Sequence, residues 1–195
     1  MTLALAALLG YLLGSFPSAV LVARSRGRDI FEVGSGNMGA MNAARNLGLG
    51  AGLLVLALDL AKGALAVLAA QVLFPGALLA ALLSGVGAVA GHAWPLFTGF
   101  RGGKALACGL GAALPLYPLA GLAGLALVAG LSLTLRARPT VAAVLALLPY
   151  PGLVWLVSDL RGEPNAGLFA LSALAMVFIV LIKYASAPRG ERPRA

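Results

Sequence analysis

The chain has 195 residues and a formal net charge of +8; 61% of its residues are hydrophobic and 10% charged. Soluble domains run at about 45–50% apolar and about 25% charged, which excludes a water-soluble enzyme, a disordered chain and a secreted disulfide scaffold. The composition calls for an all-α integral membrane protein, a single polytopic domain over residues 1–195, with room for at most about seven or eight spans of about 20 residues.

The first apolar run, Thr2 to Ala23, is long enough to cross a bilayer. It has no basic start of the signal-peptide kind and is expected to be a retained span. A basic loop, Arg24-Ser25-Arg26-Gly27-Arg28, leads into a polar, Gly-rich stretch from Asp29 to Gly50. The second span, Ala51 to Phe74, contains Asp59 and Lys62, and Pro75-Gly76 marks a turn. Ala77 to Trp94 is the third, followed by a second Gly-rich polar stretch from Pro95 to Lys104. The fourth, Ala105 to Leu114, is short and bounded by Pro115 and Pro118. Counted from Lys104 it measures roughly 17 Å, against a hydrocarbon core of about 30 Å. It is either a broken helix or a short one sunk against the preceding loop. Leu119 to Leu135 is the fifth span, closed by Arg136-Ala137-Arg138-Pro139. Thr140 to Val157 is the sixth, interrupted by Pro149 and Pro151; Ser158 to Asn165 is a polar turn and Ala166 to Ile182 the seventh. The basic tail from Lys183 is expected to be an unpacked end. No motif repeats between the two halves, so an inverted-repeat transporter gains no support.

Seven spans place the termini on opposite sides. Arg24, Arg26, Arg28, Arg45, Arg101, Lys104, Arg136, Arg138, Lys183, Arg189, Arg192 and Arg194 then share one side, and Arg161 alone lies in a loop on the other. The positive-inside rule puts the N-terminus outside and the C-terminus in the cytoplasm, with both Gly-rich stretches facing the cytoplasm. This distribution accounts for the positive charge better than a nucleic-acid partner does, and it is compatible with an anionic substrate. The single cysteine, Cys108, rules out an intrachain disulfide and makes a cysteine metal site improbable.

Two loops hold the candidate chemistry. In Gly34-Ser35-Gly36-Asn37-Met38-Gly39 the glycines let backbone N–H groups turn toward an anion. Ser35 or Asn37 is expected to cap a helix starting at Met38, which would carry Asn42 and Arg45 on one face. A plain capped loop is the competing reading. In Arg101-Gly102-Gly103-Lys104 two cations flank two residues without side-chain bulk, a pattern suited to gripping phosphate. The GxxxxGK[ST] spacing of a P-loop is absent, and ordinary inside-positive charge is the alternative. Phe97 and Phe100 are expected to seat this loop in the membrane interface. His92, the only histidine, is as compatible with a structural role as with a catalytic one, and cannot build a usual metal site with so few carboxylates. Asp59 and Lys62, three apart, are expected to form a structural ion pair bracing the site. No Ser-His-Asp set or GxSxG elbow is readable, which argues against a covalent acyl-enzyme.

Three segments carry a family resemblance: Gly34-Ser-Gly-Asn-x-Gly-Ala-x-Asn42-x-x-Arg45-x-Leu-Gly48, Asp59-x-x-Lys62-Gly63, and Gly91-His-x-x-Pro95-x-Phe97-x-x-Phe100-Arg-Gly-Gly-Lys104. In order and spacing they resemble the bacterial acyl-phosphate:glycerol-3-phosphate acyltransferases of the PlsY type. The resemblance implies a multi-pass enzyme of the cell inner membrane. Its partners would be acyl phosphate, glycerol 3-phosphate and membrane lipids, with no nucleic acid, metal or organic cofactor. It would transfer a fatty acyl group to the sn-1 hydroxyl, giving lysophosphatidic acid and phosphate. His92, Lys104 and Arg45 become candidate catalytic residues. Ser35, Gly36, Asn37, Asn42, Arg45, Arg101, Gly102, Gly103, Lys104 and Thr140 become candidates for binding substrate and phosphate. The chain departs from the family pattern at Met38 and Met41, where Pro and Thr are usual, and at Ala105-Leu-Ala-Cys108, where Gly-Val-Ala-Thr is usual. Thr140 alone stands near the position of paired serines, and Lys183-Tyr-Ala-Ser-Ala-Pro188 replaces a C-terminal His-Arg-x-Asn segment. Two alternatives follow: a catalytically weakened paralogue that holds phosphate or lipid, and a transporter of an anionic metabolite.

Overall fold

The computed structural model describes residues 1–135 and 138–186. Arg136, Arg189, Arg192 and Arg194, counted above for orientation, lie outside them. The described residues form ten α-helices: α1 Thr2–Gly14, α2 Ser18–Arg24, α3 Ala40–Leu47, α4 Leu49–Leu73, α5 Leu78–Ala93, α6 Leu106–Leu116, α7 Pro118–Thr134, α8 Pro139–Leu147, α9 Tyr150–Leu160 and α10 Ala166–Ala185. A single 3-10 turn, Leu96–Thr98, follows α5. Among the described residues five segments are long and apolar enough to cross a membrane: Thr2–Arg24, Leu49–Leu73, Leu78–Thr98, Thr140–Leu160 and Ala166–Ala185. α6 and α7 are apolar but shorter. The outward faces carry leucines such as Leu53, Leu65, Leu68, Leu122 and Leu171, a surface that calls for hydrocarbon rather than water.

The first apolar run is two helices rather than one. Pro17 has no N–H to give and disfavours helical backbone at Phe16, so α1 stops at Gly14 and α2 restarts at Ser18. The sixth run also divides, between α8 and α9, at Leu148-Pro149. α6 is the short unbroken form of the two readings left open by the sequence, with Pro115 tolerated in its last turn.

Small residues bring the helices together, as packing between membrane helices favours. α1 lies on α5 so closely that a Cβ on Gly10 or Gly14 would collide with the carbonyls of Ser84 and Ala88, and one on Gly91 with that of Tyr11. α4 meets α6 in the same way through Gly63 against Cys108 and Gly111 against Leu60. α5, α6, α7, α9 and α10 enclose the larger apolar core, including Val89, Leu116, Tyr150, Val154 and Val180. α2, α3, α4 and the first Gly-rich loop enclose a second, around Ile30, Met38, Ala43 and Val55. This arrangement places both Gly-rich loops at one end of the bundle.

Candidate active site

The first loop is built around one side chain. Asn42 Oδ1 accepts the Ser35 N–H at 3.1 Å and an Asn46 Nδ2–H at 2.9 Å. Its Nδ2 donates to the carbonyls of Ile30, Val33 and Asn37 at 3.3, 3.1 and 3.0 Å. The Asn42 amide, a candidate for meeting substrate, holds the loop and also lines the cavity described below. Gly34 turns at φ +57° directly against Asn42 and Asn46, where a Cβ would collide with both amides. The expected cap differs as well. α3 starts at Ala40 behind Gly39, and neither Ser35 nor Asn37 caps it. Met38 is buried in the core beside Ile30, which keeps the backbone extended through Gly39 (φ −119°, ψ 158°) and delays the helix.

The second loop folds back over the end of α5. The Gly103 N–H donates to the His92 carbonyl at 3.1 Å. Gly102 lies on the carbonyls of His92 and Ala93, and Gly103 on His92 Nε2, so a Cβ on either would collide with them. Close approach, not positive φ, is what these two glycines supply. The flanking residues take the left-handed conformation instead: Phe100 at φ +63° and Ala105 at φ +60°. For an L-residue this costs roughly 1–2 kcal/mol. Ala105 stands where the family pattern has glycine, so the strain coincides with one of the departures. Phe97 and Phe100 are exposed on this loop.

Beneath it runs a string of buried polar contacts. Lys62 Nζ lies 3.0 Å from Asp59 Oδ1 and donates to the Phe16 carbonyl at 2.9 Å. That carbonyl stands at the break between α1 and α2, where it also accepts the Ser18 N–H at 3.0 Å. Asp59 Oδ1 is also 3.5 Å from His92 Nδ1. His92 Nδ1 thus faces Asp59 Oδ1, with neither atom in a hydrogen bond, and Nε2 lies beside Gly103 at the cavity described next.

A cavity of about 370 Å³ opens between these parts. Ser35, Asn37, Asn42, Arg45, Asp59, His92, Lys104 and Thr140 line it, together with an aliphatic wall of Leu49, Leu53 and Leu56 from α4 and Val128 from α7. Gly36, Arg101, Gly102 and Gly103 are not among the lining residues. The Arg101 guanidinium stacks 4.1 Å from the centre of the Phe31 ring, bracing one loop against the other. Ser132 and Tyr184 line the cavity without having been singled out from the sequence. Ser132 had a signal, a hydroxyl near the end of an apolar run. Tyr184 had one too, since it continues the buried positions Val177 and Val180 at helical spacing. α10 accordingly runs on to Ala185, and Lys183 and Tyr184 are not an unpacked start of the tail.

One cavity lined by Arg45 and Lys104 as well as by aliphatic side chains, on a bundle of membrane helices, defines an integral membrane protein with a site of mixed polar and apolar character. The profile described as glycerol-3-phosphate acyltransferase matches residues 4–189. The glycerol-3-phosphate acyltransferase 1 of Dehalococcoides mccartyi is 46% identical over 153 residues, covering 76% of this chain and 74% of that one. Among solved structures, the glycerol 3-phosphate form of the integral membrane acyltransferase PlsY (YgiH) superimposes with a TM-score of 0.80 at 30% identity, covering 95% of this chain and 89% of that one. The lysophosphatidic acid form of the same enzyme gives 0.79 at 29% identity, covering 94% and 88%. The chain belongs to the glycerol-3-phosphate acyltransferase family.

Gly103→Ala is expected to lower stability by about 1–3 kcal/mol, the usual cost of forcing bulk into a filled site. Gly109→Ala, whose new Cβ would meet nothing closer than Val89 at 3.6 Å, is expected to be neutral or stabilising. Thermal unfolding in detergent compares the two, and equal midpoints would contradict the packing described.

Proposed function

We propose that this chain transfers a fatty acyl group from acyl phosphate to the sn-1 hydroxyl of glycerol 3-phosphate in the cell inner membrane. The single observation that carries this is the mixed lining of one cavity, which joins a set of cations, Arg45 and Lys104, to a set of aliphatic side chains, Leu49, Leu53 and Leu56. A phosphorylated head fits the first and an alkyl chain lying along α4 fits the second. Acyl phosphate is a mixed anhydride and arrives activated. The glycerol hydroxyl forms a C–O bond to the acyl carbon, the bond from that carbon to the phosphate oxygen breaks, and phosphate leaves with the electron pair. Holding two anionic substrates together and stabilising the leaving group supplies much of the rate, and no protein nucleophile is required. Ser35, Asn37, Arg45, Lys104 and Thr140 are the residues we assign to substrate contact. Arg101, Gly36, Gly102 and Gly103 act by shaping and bracing the loops, and Asn42 by fixing the first of them.

We assign the hydroxyl proton to an oxygen of the acyl phosphate, with His92 positioning the second loop. The Gly103 N–H on its carbonyl and the close packing of its Nε2 against Gly103 support that division of labour. The same reading takes the chain as seven spans with the N-terminus outside and the C-terminus cytoplasmic. In its support, the α6–α7 turn at Tyr117-Pro118 and the end of α9 at Ser158 and Arg161 line one cavity, as expected if they lie at one face.

Purified protein in detergent, given acyl phosphate and glycerol 3-phosphate, is expected to release phosphate and form lysophosphatidic acid. Lys104→Ala should remove a charge-assisted contact worth about 1.5–3 kcal/mol, a tenfold to hundredfold loss in kcat/KM. Kinetics close to wild type would remove Lys104 from the site. His92→Gln should retain at least about a tenth of kcat, because loss of a true general base costs about 10²–10⁴-fold. A fall beyond a hundredfold in folded protein would make His92 the base. For orientation, Gly162→Cys in a Cys108→Ala background should react with an impermeant thiol reagent only from outside the cell. Reaction only from the cytoplasmic face would invert the topology.

A further inference from the structure

The last turn of α10 reaches the second loop at both of its ends. Lys183 Nζ lies 5.5 Å from the centre of the Trp94 ring, just before the loop. Lys104 Nζ, which closes the loop, lies 4.6 Å from the centre of the Tyr184 ring. Two consecutive residues thus make reciprocal contacts, one offering the cation and the next the ring. The Trp94 carbonyl also accepts the Tyr11 hydroxyl at 2.8 Å, which ties the same point to α1. Tyr184 and Lys104 both line the cavity.

A lysine side chain has four rotatable bonds and loses much conformational freedom when fixed. An aromatic face under its ammonium selects one placement without neutralising the charge. We infer that Tyr184 is a positioning residue: its ring holds the Lys104 ammonium where that charge meets a substrate phosphate. The Lys183 contact with Trp94 fixes the helix end from which the ring projects. This rests on the acyltransferase reading above and adds to it a residue of α10.

The test compares wild type, Tyr184→Phe, Tyr184→Leu, Lys104→Ala and the Lys104→Ala/Tyr184→Leu double variant. The measurements are steady-state turnover with each substrate varied and calorimetric binding of glycerol 3-phosphate. Tyr184→Phe keeps the ring and should stay within about twofold of wild type. Tyr184→Leu should raise one KM by about threefold to thirtyfold, with a smaller change in kcat, the range expected for losing a cation–π contact. The KM that rises tells whether glycerol 3-phosphate or acyl phosphate supplies the phosphate. The double variant should be no more than about twofold worse than Lys104→Ala, because the ring acts through the lysine. Wild-type kinetics in Tyr184→Leu, equal damage in Tyr184→Phe, or losses that multiply in the double variant would each overturn the inference. Tyr184→Met serves if Tyr184→Leu does not fold. Protein that binds glycerol 3-phosphate without turnover would sink the acyltransferase reading, while weaker binding by Tyr184→Leu in that protein would still uphold the role of the ring. Protein that neither binds nor turns over would sink both.

Discussion

The second glycine-rich loop and the helix ends beneath it depend on one buried charge pair. Asp59 and Lys62 are 2% and 5% exposed, on a helix long and apolar enough to span a membrane. Charges in such a place are costly unless each finds its counterpart. Lys62 finds two, the Asp59 carboxylate and the carbonyl that the Pro17 break leaves without a helical donor. Asp59 then faces His92, and His92 carries the glycine loop on its carbonyl. A defect in α1, a charge on α4, a ring on α5 and the backbone of the second loop are thereby linked in one chain of contacts. The break in α1 is part of that design, because an unbroken first helix would leave Lys62 without its second partner.

The two glycine-rich loops achieve similar ends by different means. The first is rigid because a single amide satisfies five backbone and side-chain groups around it. The second is rigid because it is pressed onto α5 with no space for a side chain at two successive residues. Arg101 joins them by lying on Phe31. Of the two cations in the second loop, one therefore braces and the other lines the cavity, although four residues of sequence give no sign of the distinction.

Legibility followed the range of the interaction. The membrane character, the apolar runs and the spacing of Asp59 and Lys62 are local properties, and hydrophobic length or helical register reveals them. The short α6 was also visible, as a run bounded by prolines. What was hidden depended on distant partners. The loop-holding bonds of Asn42 appear only once Ile30, Val33 and Asn37 turn their carbonyls toward it. Met38 looks like the start of a helix until the core takes its side chain. Tyr184, eighty residues from Lys104, has no local mark of its contact with that lysine. The left-handed backbone at Ala105 was hidden too, since alanine gives no sequence signal for a conformation that glycine usually fills.

The length of α6 has a further consequence for the surrounding lipid. Eleven residues rise only about 16 Å, roughly half the thickness of a hydrocarbon core. On the seven-span topology this helix cannot be matched by an undeformed bilayer. The mismatch is met by thinning the leaflet or by lowering the loop that precedes it. In the second case Lys104, one residue before the turn into α6, would sit below the level of the neighbouring head groups. A charge held at that depth is poorly screened by water and salt and acts on a phosphate with more force than the same charge on a soluble loop. On that topology the bilayer itself would become part of the dielectric of the site, and lipid thickness a variable to which its chemistry responds.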